Sequence, residues 1–327
     1  MKAGKLPVEL LESLVFKNIK IKNKEVISGP EIGNDCGALN INGNLLVVSS
    51  DPITAAGKGA GKLAINVNCN DIATTGLKPT AMLVTILAPV GTTEKEIGDL
   101  SSELAEEADK LGVDIIGGHT EISSAVNRIV ISATAIGYGD IKRIEKTRAP
   151  KEGDYIIMTK VAGLEGTAIL CRDKEEDLSS ILTPIEIEEG KAYSNMLSVI
   201  PEGVSGWENG ALLMHDVTEG GVLGAVWELV HGSTLGVDVF EKNILVTDLT
   251  RKICKYYNID PLRLISSGTM IIVCEDGTDM VAKLNQKKIK SSIIGRLKKE
   301  GLHVVYIDGT RGPLFPPDVD ELFKVIK

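Results

Sequence analysis

"AAGKGAGKLAIN", Ala55 to Asn66, is the stretch whose reading separates one fold class from another. Three glycines, two lysines and a following run of small and apolar residues look like a phosphate-binding loop opening a helix. The Walker pattern requires Gly, four residues, then Gly-Lys-Ser/Thr. Gly61-Lys62 would need a glycine at position 56, which is Ala56, and the residue after Lys62 is Leu63, with no hydroxyl for a metal ion. Asp51-Pro52 also intervenes after the strand-like Leu45–Ser50, whereas a Walker loop follows its strand directly. A nucleotide, if bound, is held by another route. The competing reading is a glycine turn leading into a helix.

Outward from that stretch, the first half alternates strands and helices. Pro7–Phe16 reads as a helix with Leu10, Leu11, Leu14 and Val15 on one face. Leu45–Ser50 and Met82–Leu87 are apolar runs of strand length. Thr93 to Leu111 is the clearest helix, opened by the capping box Thr93-x-x-Glu96 and closed by Gly112. Val113–Ile116 and Ile129–Ile136 follow as strands. The polar, turn-rich Gly139–Asp154 is the best candidate for a domain boundary. Beyond it come a strand at Tyr155–Thr159, helices near Pro184–Val199 and Thr218–His231, and strands at Thr269–Cys274 and Val304–Ile307. The basic segment Lys283–Lys299 reads as a solvated helix face plus a turn.

The 327 residues suit two domains of ordinary size. Aromatic residues are only 4% of the chain, so its core must be built from Ile, Leu, Val and Ala. A net charge of −9 argues against nucleic-acid or anionic-membrane partners. Five scattered cysteines without a C-x-x-C pair suggest reduced thiols in a cytoplasmic protein. The N-terminus leads into an amphipathic segment, not a signal sequence, and no apolar stretch approaches the ~20 residues of a membrane span.

Aspartates recur beside small residues in "GNDCGAL" (Gly33–Leu39), "SSDPIT" (Ser49–Thr54), "NDIATTG" (Asn70–Gly76) and "HDVTEGG" (His215–Gly221). A fifth such turn, "GGHTEIS" (Gly117–Ser123), offers His119, Thr120 and Glu121. Singly, each has an ordinary explanation: Asp51 starting a turn, Asp71 exposed on a helix, Asp216 capping one. Together they supply the hard oxygen ligands that magnesium prefers and glycine turns whose amides can approach phosphate. Asp216 ahead of Gly220-Gly221 suits a helix start facing an anion.

This ordered set, with "GKLPVELLESLVF", "GKLAINVNCNDIATTGLKP" and "SSGTMIIV", resembles the aminoimidazole ribonucleotide (AIR) synthase, or PurM-like, superfamily. That superfamily includes the hydrogenase maturation protein HypE, thiamine-monophosphate kinase, selenophosphate synthetase and formylglycinamidine synthase. The likeness covers nearly the whole chain and favours the AIR-synthase-related, HypE-like branch. It implies a mixed α/β (α+β) chain with an N-terminal domain over 1–148 and a C-terminal αβ domain over 149–327. The N-terminal domains would pair into a β-barrel across a homodimer.

The resemblance further implies ATP and Mg²⁺, with the metal on Asp35, Asp51, Asp71 and Asp216. Gly33, Lys62, Asn70, Gly117, Gly118, Thr120, Gly220 and Gly221 would line the nucleotide or substrate site, and His119 and Asp216 would be catalytic. A surface role for Lys62 and a structural one for His119 stay open. The implied chemistry is phosphoryl transfer to an amide, carbonyl or thiocarbamate oxygen of a small or externally supplied substrate. Two departures stand out. Asn34 and Cys36-Gly37 replace an acidic residue and two alanines, and the last cysteine is Cys274, so the cysteine tail of HypE is missing from "PPDVDELFKVIK". A silent ATP-binding scaffold and a thiamine-monophosphate kinase-like phosphotransferase are the alternatives.

Overall fold

The computed structural model describes residues 5–54, 59–142, 148–231 and 233–326. Residues 55–58, the front of the stretch that opens the sequence reading, lie outside the described residues, as do 1–4 and 143–147 within the N-terminal and boundary readings. The chain forms two compact units. The first comprises Ile21–Gly29 and Asp35–Lys146; the second comprises Met1–Lys20, Pro30–Asn34 and Thr147–Lys327.

The first unit holds a six-stranded sheet, ordered β1-β2-β3-β6-β4-β5. The strands are β1 Val26–Ser28, β2 Gly37–Ile41, β3 Asn44–Ile53, β4 Pro79–Pro89, β5 Asp114–Ser123 and β6 Val130–Asp140. All neighbours are antiparallel except β4 and β5, which run parallel. The parallel pair needs a crossover, supplied by helix α3 (Glu94–Leu111), which has the expected capping box at Thr93 and a left-handed Gly112 at its end. Helix α2 (Ala60–Thr74) packs with α3 and against β3 and β6. The "SSDPIT" stretch is not a turn: Asp51, Pro52 and Ile53 continue β3 against β6. β2 pairs β3 only as far as Val48, so one side of β3 is open at Pro52, the position in a sheet where proline is tolerated.

The second unit is built on a seven-stranded sheet, ordered β13-β12-β9-β11-β7-β10-β8. Its strands are β7 Tyr155–Thr159, β8 Ala211–Val217, β9 Gly236–Phe240, β10 Thr269–Cys274, β11 Ser291–Lys298, β12 Leu302–Val305 and β13 Arg311–Pro313. The helices are α4 Leu164–Asp173, α5 Glu175–Leu178, α6 Pro184–Ala192, α7 Ile200–Glu208, α8 Gly221–Val230, α9 Asp248–Tyr257 and α10 Gly277–Gln286. β10 is buried at every position, and Ile271 and Val273 join Ile156, Met158, Val226 and Trp227 in the core. That core is aliphatic, as the low aromatic content requires.

Three expectations fail for identifiable reasons. Pro7–Phe16 is not one helix; short α1 (Val8–Leu10) passes into a π turn and a 3-10 turn, and Leu14 and Val15 stay exposed. An apolar stripe without a surface to cover does not hold a regular helix. Lys283–Lys299 is the end of α10 followed by β11, with Ile294 and Leu297 fully buried beside β7 and β9. Its lysines masked a short strand whose pairing is wholly non-local. The helix near Pro184–Val199 stops at Ala192 and tightens into a 3-10 turn, Tyr193–Met196.

Candidate functional site

In the first unit the site is organised by α2. Its sequence carries Asn66, Asn68 and Asn70 at alternate positions, poor helix formers that nonetheless are almost fully buried. Partners on neighbouring elements stabilise two of them there. Asn66 Nδ2 donates to Lys62 C=O and to Glu107 Oε1 at 2.9 and 2.7 Å. Asn68 Nδ2 donates to Ala64 C=O, while its Oδ1 accepts from Asp51 N–H at 2.8 Å. Asn68 thereby ties the backbone of Asp51 to α2.

Asp71 follows on the same helix, 5% exposed. Ser49 Oγ donates to Asp71 Oδ2 at 2.5 Å, and Ser49 and Asp51 project from the same face of β3 because side chains alternate along a strand. Cys36 Sγ donates to Asp71 C=O at 3.1 Å, which holds the Asp35-Cys36 segment against α2. The structure therefore ties the Asp51 backbone and the Asp35-Cys36 segment to the helix that carries Asp71. Asp71 is not an exposed helix residue. Sequence reasoning missed Ser49, which holds the Asp71 carboxylate, and Asn68, which holds the Asp51 backbone; the signal was present in Ser49 lying two residues before Asp51 and in the alternating asparagines.

Other expected residues of this unit have different surroundings. Lys62 is nine residues before Asp71, about 13 Å along the helix axis, and its surroundings are Glu103, Glu107 and Lys110 of α3. Burial lowers its pKa, with those glutamates pulling the other way. Gly117, Gly118, His119 and Thr120 do not form a turn; they lie within β5, exposed along almost its full length. Gly118 has φ +148, and a Cβ there would stand 1.8 Å from Val84 C=O, so β5 can approach β4 only with glycine at this point. His119 is exposed and meets only its near neighbour Glu121, Nε2 to Oε2 3.3 Å, among the contacts described.

In the second unit Asp216 and His215 end β8, both buried, opposite Met270 and Ile271. His215 Nε2 lies 3.2 Å from Glu228 Oε2 on α8. Burial works against the Glu228 carboxylate, but the His215 hydrogen bond and the charges of Lys5 and His231 hold it below its ordinary value. Gly220 and Gly221, both with positive φ, bring the chain into α8. Gly33, at φ +78, passes Glu228 so closely that a Cβ would lie 2.6 Å from its carbonyl oxygen. Asn70, also expected at the site, is fully buried in α2.

Residues 33–138 match the AIR synthase related protein N-terminal domain, and residues 151–308 match the corresponding C-terminal domain. The chain belongs to the AIR synthase related family. It is 28% identical over 317 residues to a Methanocaldococcus jannaschii protein described as a hydrogenase expression/formation protein, covering 92% of this chain and 90% of that one. It is 27% identical over 285 residues to thiamine-monophosphate kinase of Pyrococcus horikoshii, covering 84% and 85%. Among solved structures, HypE from a HypE–HypF complex superposes with a TM-score of 0.76 at 22% identity, over 94% of this chain and 99% of that one. HypE in complex with ATP superposes at 0.68 with 19% identity, over 98% and 97%. The two-domain PurM-like fold is thus established.

All five cysteines are buried, and none is in a disulfide. Burial pushes the thiols of Cys69, Cys254 and Cys274 up to about 12 and that of Cys171 up to about 11. A thiol reacts as its thiolate. The native protein at pH 8 is therefore expected to give almost no fast reaction with a thiol reagent, and all five should react in denaturant. Incubation with a HypF-type carbamoyl donor should likewise add no mass; a cysteine adduct in the mass spectrum would refute this.

Proposed function

We propose that this protein is an enzyme that uses magnesium-bound ATP to phosphorylate an amide, carbonyl or thiocarbamate oxygen of a substrate supplied from outside the chain. Phosphorylation turns a poor leaving oxygen into a good one, so that dehydration or ring closure can follow. The observation that carries the reading is that Asp71 is buried on α2 with Ser49 Oγ on its Oδ2, while the Asp51 backbone and the Asp35-Cys36 segment are tied to the same helix. Their carboxylates are the donor type magnesium takes, and the Ser49 hydroxyl orients Asp71 as an outer partner. Bound metal would neutralise charge on the transferring phosphoryl group. Family membership and the ATP complex of a HypE neighbour support the nucleotide. The burial of every cysteine supports an external substrate. His119 and Lys62 lie away from the carboxylates and are the weaker members of the assignment; Asp216 is the candidate carboxylate of the second unit.

Asp51→Asn and Asp71→Asn each remove a formal charge at nearly constant volume. Each should weaken magnesium-dependent ATP binding by about 1–3 kcal/mol while leaving the fold intact. Calorimetric titration with and without magnesium measures this, and unchanged affinity in both variants would remove the metal assignment. Substrate-stimulated ADP release separates the enzyme from a silent ATP-binding scaffold. The thiamine-monophosphate kinase relative keeps a kinase of that type as the second reading.

The protein is expected to work as a homodimer. β5 is an edge strand exposed along nearly its whole length, with Ile116 61% and Ile122 50% exposed. Such an edge invites pairing with a second copy. Light scattering at micromolar concentration should give about twice the 34.9 kDa chain mass; a monomer mass would refute it.

A further inference from the structure

The chain has only four phenylalanines, and two of them stand exposed in the wall of one cavity. This surface cavity, of about 400 Å³, lies in the second unit beside Gly220, with Arg263, Phe315, Pro316, Val319, Phe323 and Lys324 around it. Phe315 is 61% exposed and Phe323 40%. Phenylalanine is ordinarily a buried residue, and this aliphatic core takes in neither ring.

The segment that carries the two rings is fastened at both ends. Leu314 is buried in the core, and its N–H donates to Leu302 C=O at 2.9 Å. Phe315 precedes Pro316, which restricts its backbone to an extended form, and Arg263 donates to the carbonyls of Phe315 and Pro316. Further on, the buried Asp320 carboxylate accepts from Gly220 N–H at 2.7 Å, Leu322 N–H at 2.8 Å and Ile265 N–H at 3.2 Å. Leu322 is buried, and Phe323 follows it in the 3-10 turn Glu321–Lys324. Both rings are thus held outward on an anchored backbone, so a ligand meeting them orders little of the chain.

Charge narrows the occupant. The wall holds two cations, Arg263 and Lys324, and two carboxylates, Asp318 and Glu321. Arg263 is turned to the carbonyls, and Lys324 pairs with Glu321 at 2.6 Å. Neither sign is in excess, whereas two phenyl rings favour a flat ring that stacks or meets them edge-on. The volume suits a small molecule. Residues 315–324 also follow the end of the matched C-terminal domain at residue 308, so the part that defines the family does not include them.

We propose that this cavity is a further binding site, taking the uncharged aromatic ring of a small molecule against Phe315 and Phe323. The test is titration of 5-fluoroindole with the full-length protein, followed by the broadening of its fluorine resonance. The wild type should give saturable broadening that magnesium-ATP does not reverse. The double variant Phe315→Ala with Phe323→Ala, which truncates two exposed side chains, should bind the probe at least about tenfold more weakly. Should that variant fail to fold, Phe323→Leu keeps an apolar side chain without a ring and should weaken binding in the same direction. Broadening that does not saturate, or that is the same in a folded variant, would overturn the proposal. Displacement of the probe by magnesium-ATP would also overturn it, by making the cavity part of the nucleotide site. N-acetyl-tryptophanamide that binds far more tightly than the free ring would overturn the small-molecule assignment in favour of a protein partner. Loss of the metal assignment at Asp51 and Asp71 would leave this result standing.

Discussion

Lys160→Met is expected to destabilise the second unit by about 3–5 kcal/mol, the scale of breaking a buried ion pair from one side. Lys160 follows β7 in a left-handed conformation, φ +51, and sends its side chain inward. Its ammonium donates to the carbonyls of Ser198 and Gly268, each at 2.7 Å, and pairs with Glu202 Oε1 at 2.7 Å. Burial lowers its pKa while Glu202 pulls it back up. Three separate segments are thus joined through one charge, and Glu202 itself is only 2% exposed. Methionine would leave the buried Glu202 carboxyl without its partner. The double variant Lys160→Met with Glu202→Leu should recover most of the loss, because a buried pair replaced whole costs far less than one halved. Both tryptophans, Trp207 and Trp227, lie in the second unit, so urea unfolding followed by tryptophan fluorescence reads the effect directly. A loss below 1 kcal/mol, in the range of an exposed pair, would show that water reaches the ammonium.

Glu165→Gln is expected to act in the opposite direction, and only at higher pH. Glu165 on α4 is 4% exposed, and burial pushes its carboxyl up to about 7, opposed by the polar groups of Ser267 and aided by the charges of Asp320 and Glu219. A carboxyl whose folded pKa is raised holds its proton in the native state after the unfolded chain has released it. Its contribution to stability is therefore complete below about pH 4.5 and is lost as pH rises to about 7, amounting to about 3 kcal/mol. Glutamine keeps the shape without the charge. At pH 8 the variant should be more stable than the wild type by about 2–3 kcal/mol, and at pH 5 nearly equal. Parallel unfolding curves at the two pH values decide it: an advantage that does not change with pH would mean that Glu165 does not titrate in this window.

The family was legible because its motifs are local. "SSDPIT", "NDIATTG" and "HDVTEGG" each keep their residues within a few positions, and a Walker loop could be rejected on two residues, Ala56 and Leu63. The helix α3 was equally plain, since its cap, apolar stripe and terminal glycine are written into consecutive residues. The aspartates were identified the same way, but what surrounds them was not.

By itself the sequence determined the two-domain class, the aliphatic core and α3, and it marked the aspartates as candidates. Only the tertiary structure decided that "GGHTEIS" is an exposed edge strand, that β11 replaces an apparent helix face, and that Ser49 and Asn68 fix the aspartates. It alone brought Asp320 to Gly220, a hundred residues away, and Lys160 to Glu202. Caps and short-range periodicity are set by neighbours along the chain, and a sequence displays them. Strand pairing, burial of a charge and capture of an amide by a distant carboxylate depend on which surfaces meet, and that is settled when the sheet assembles.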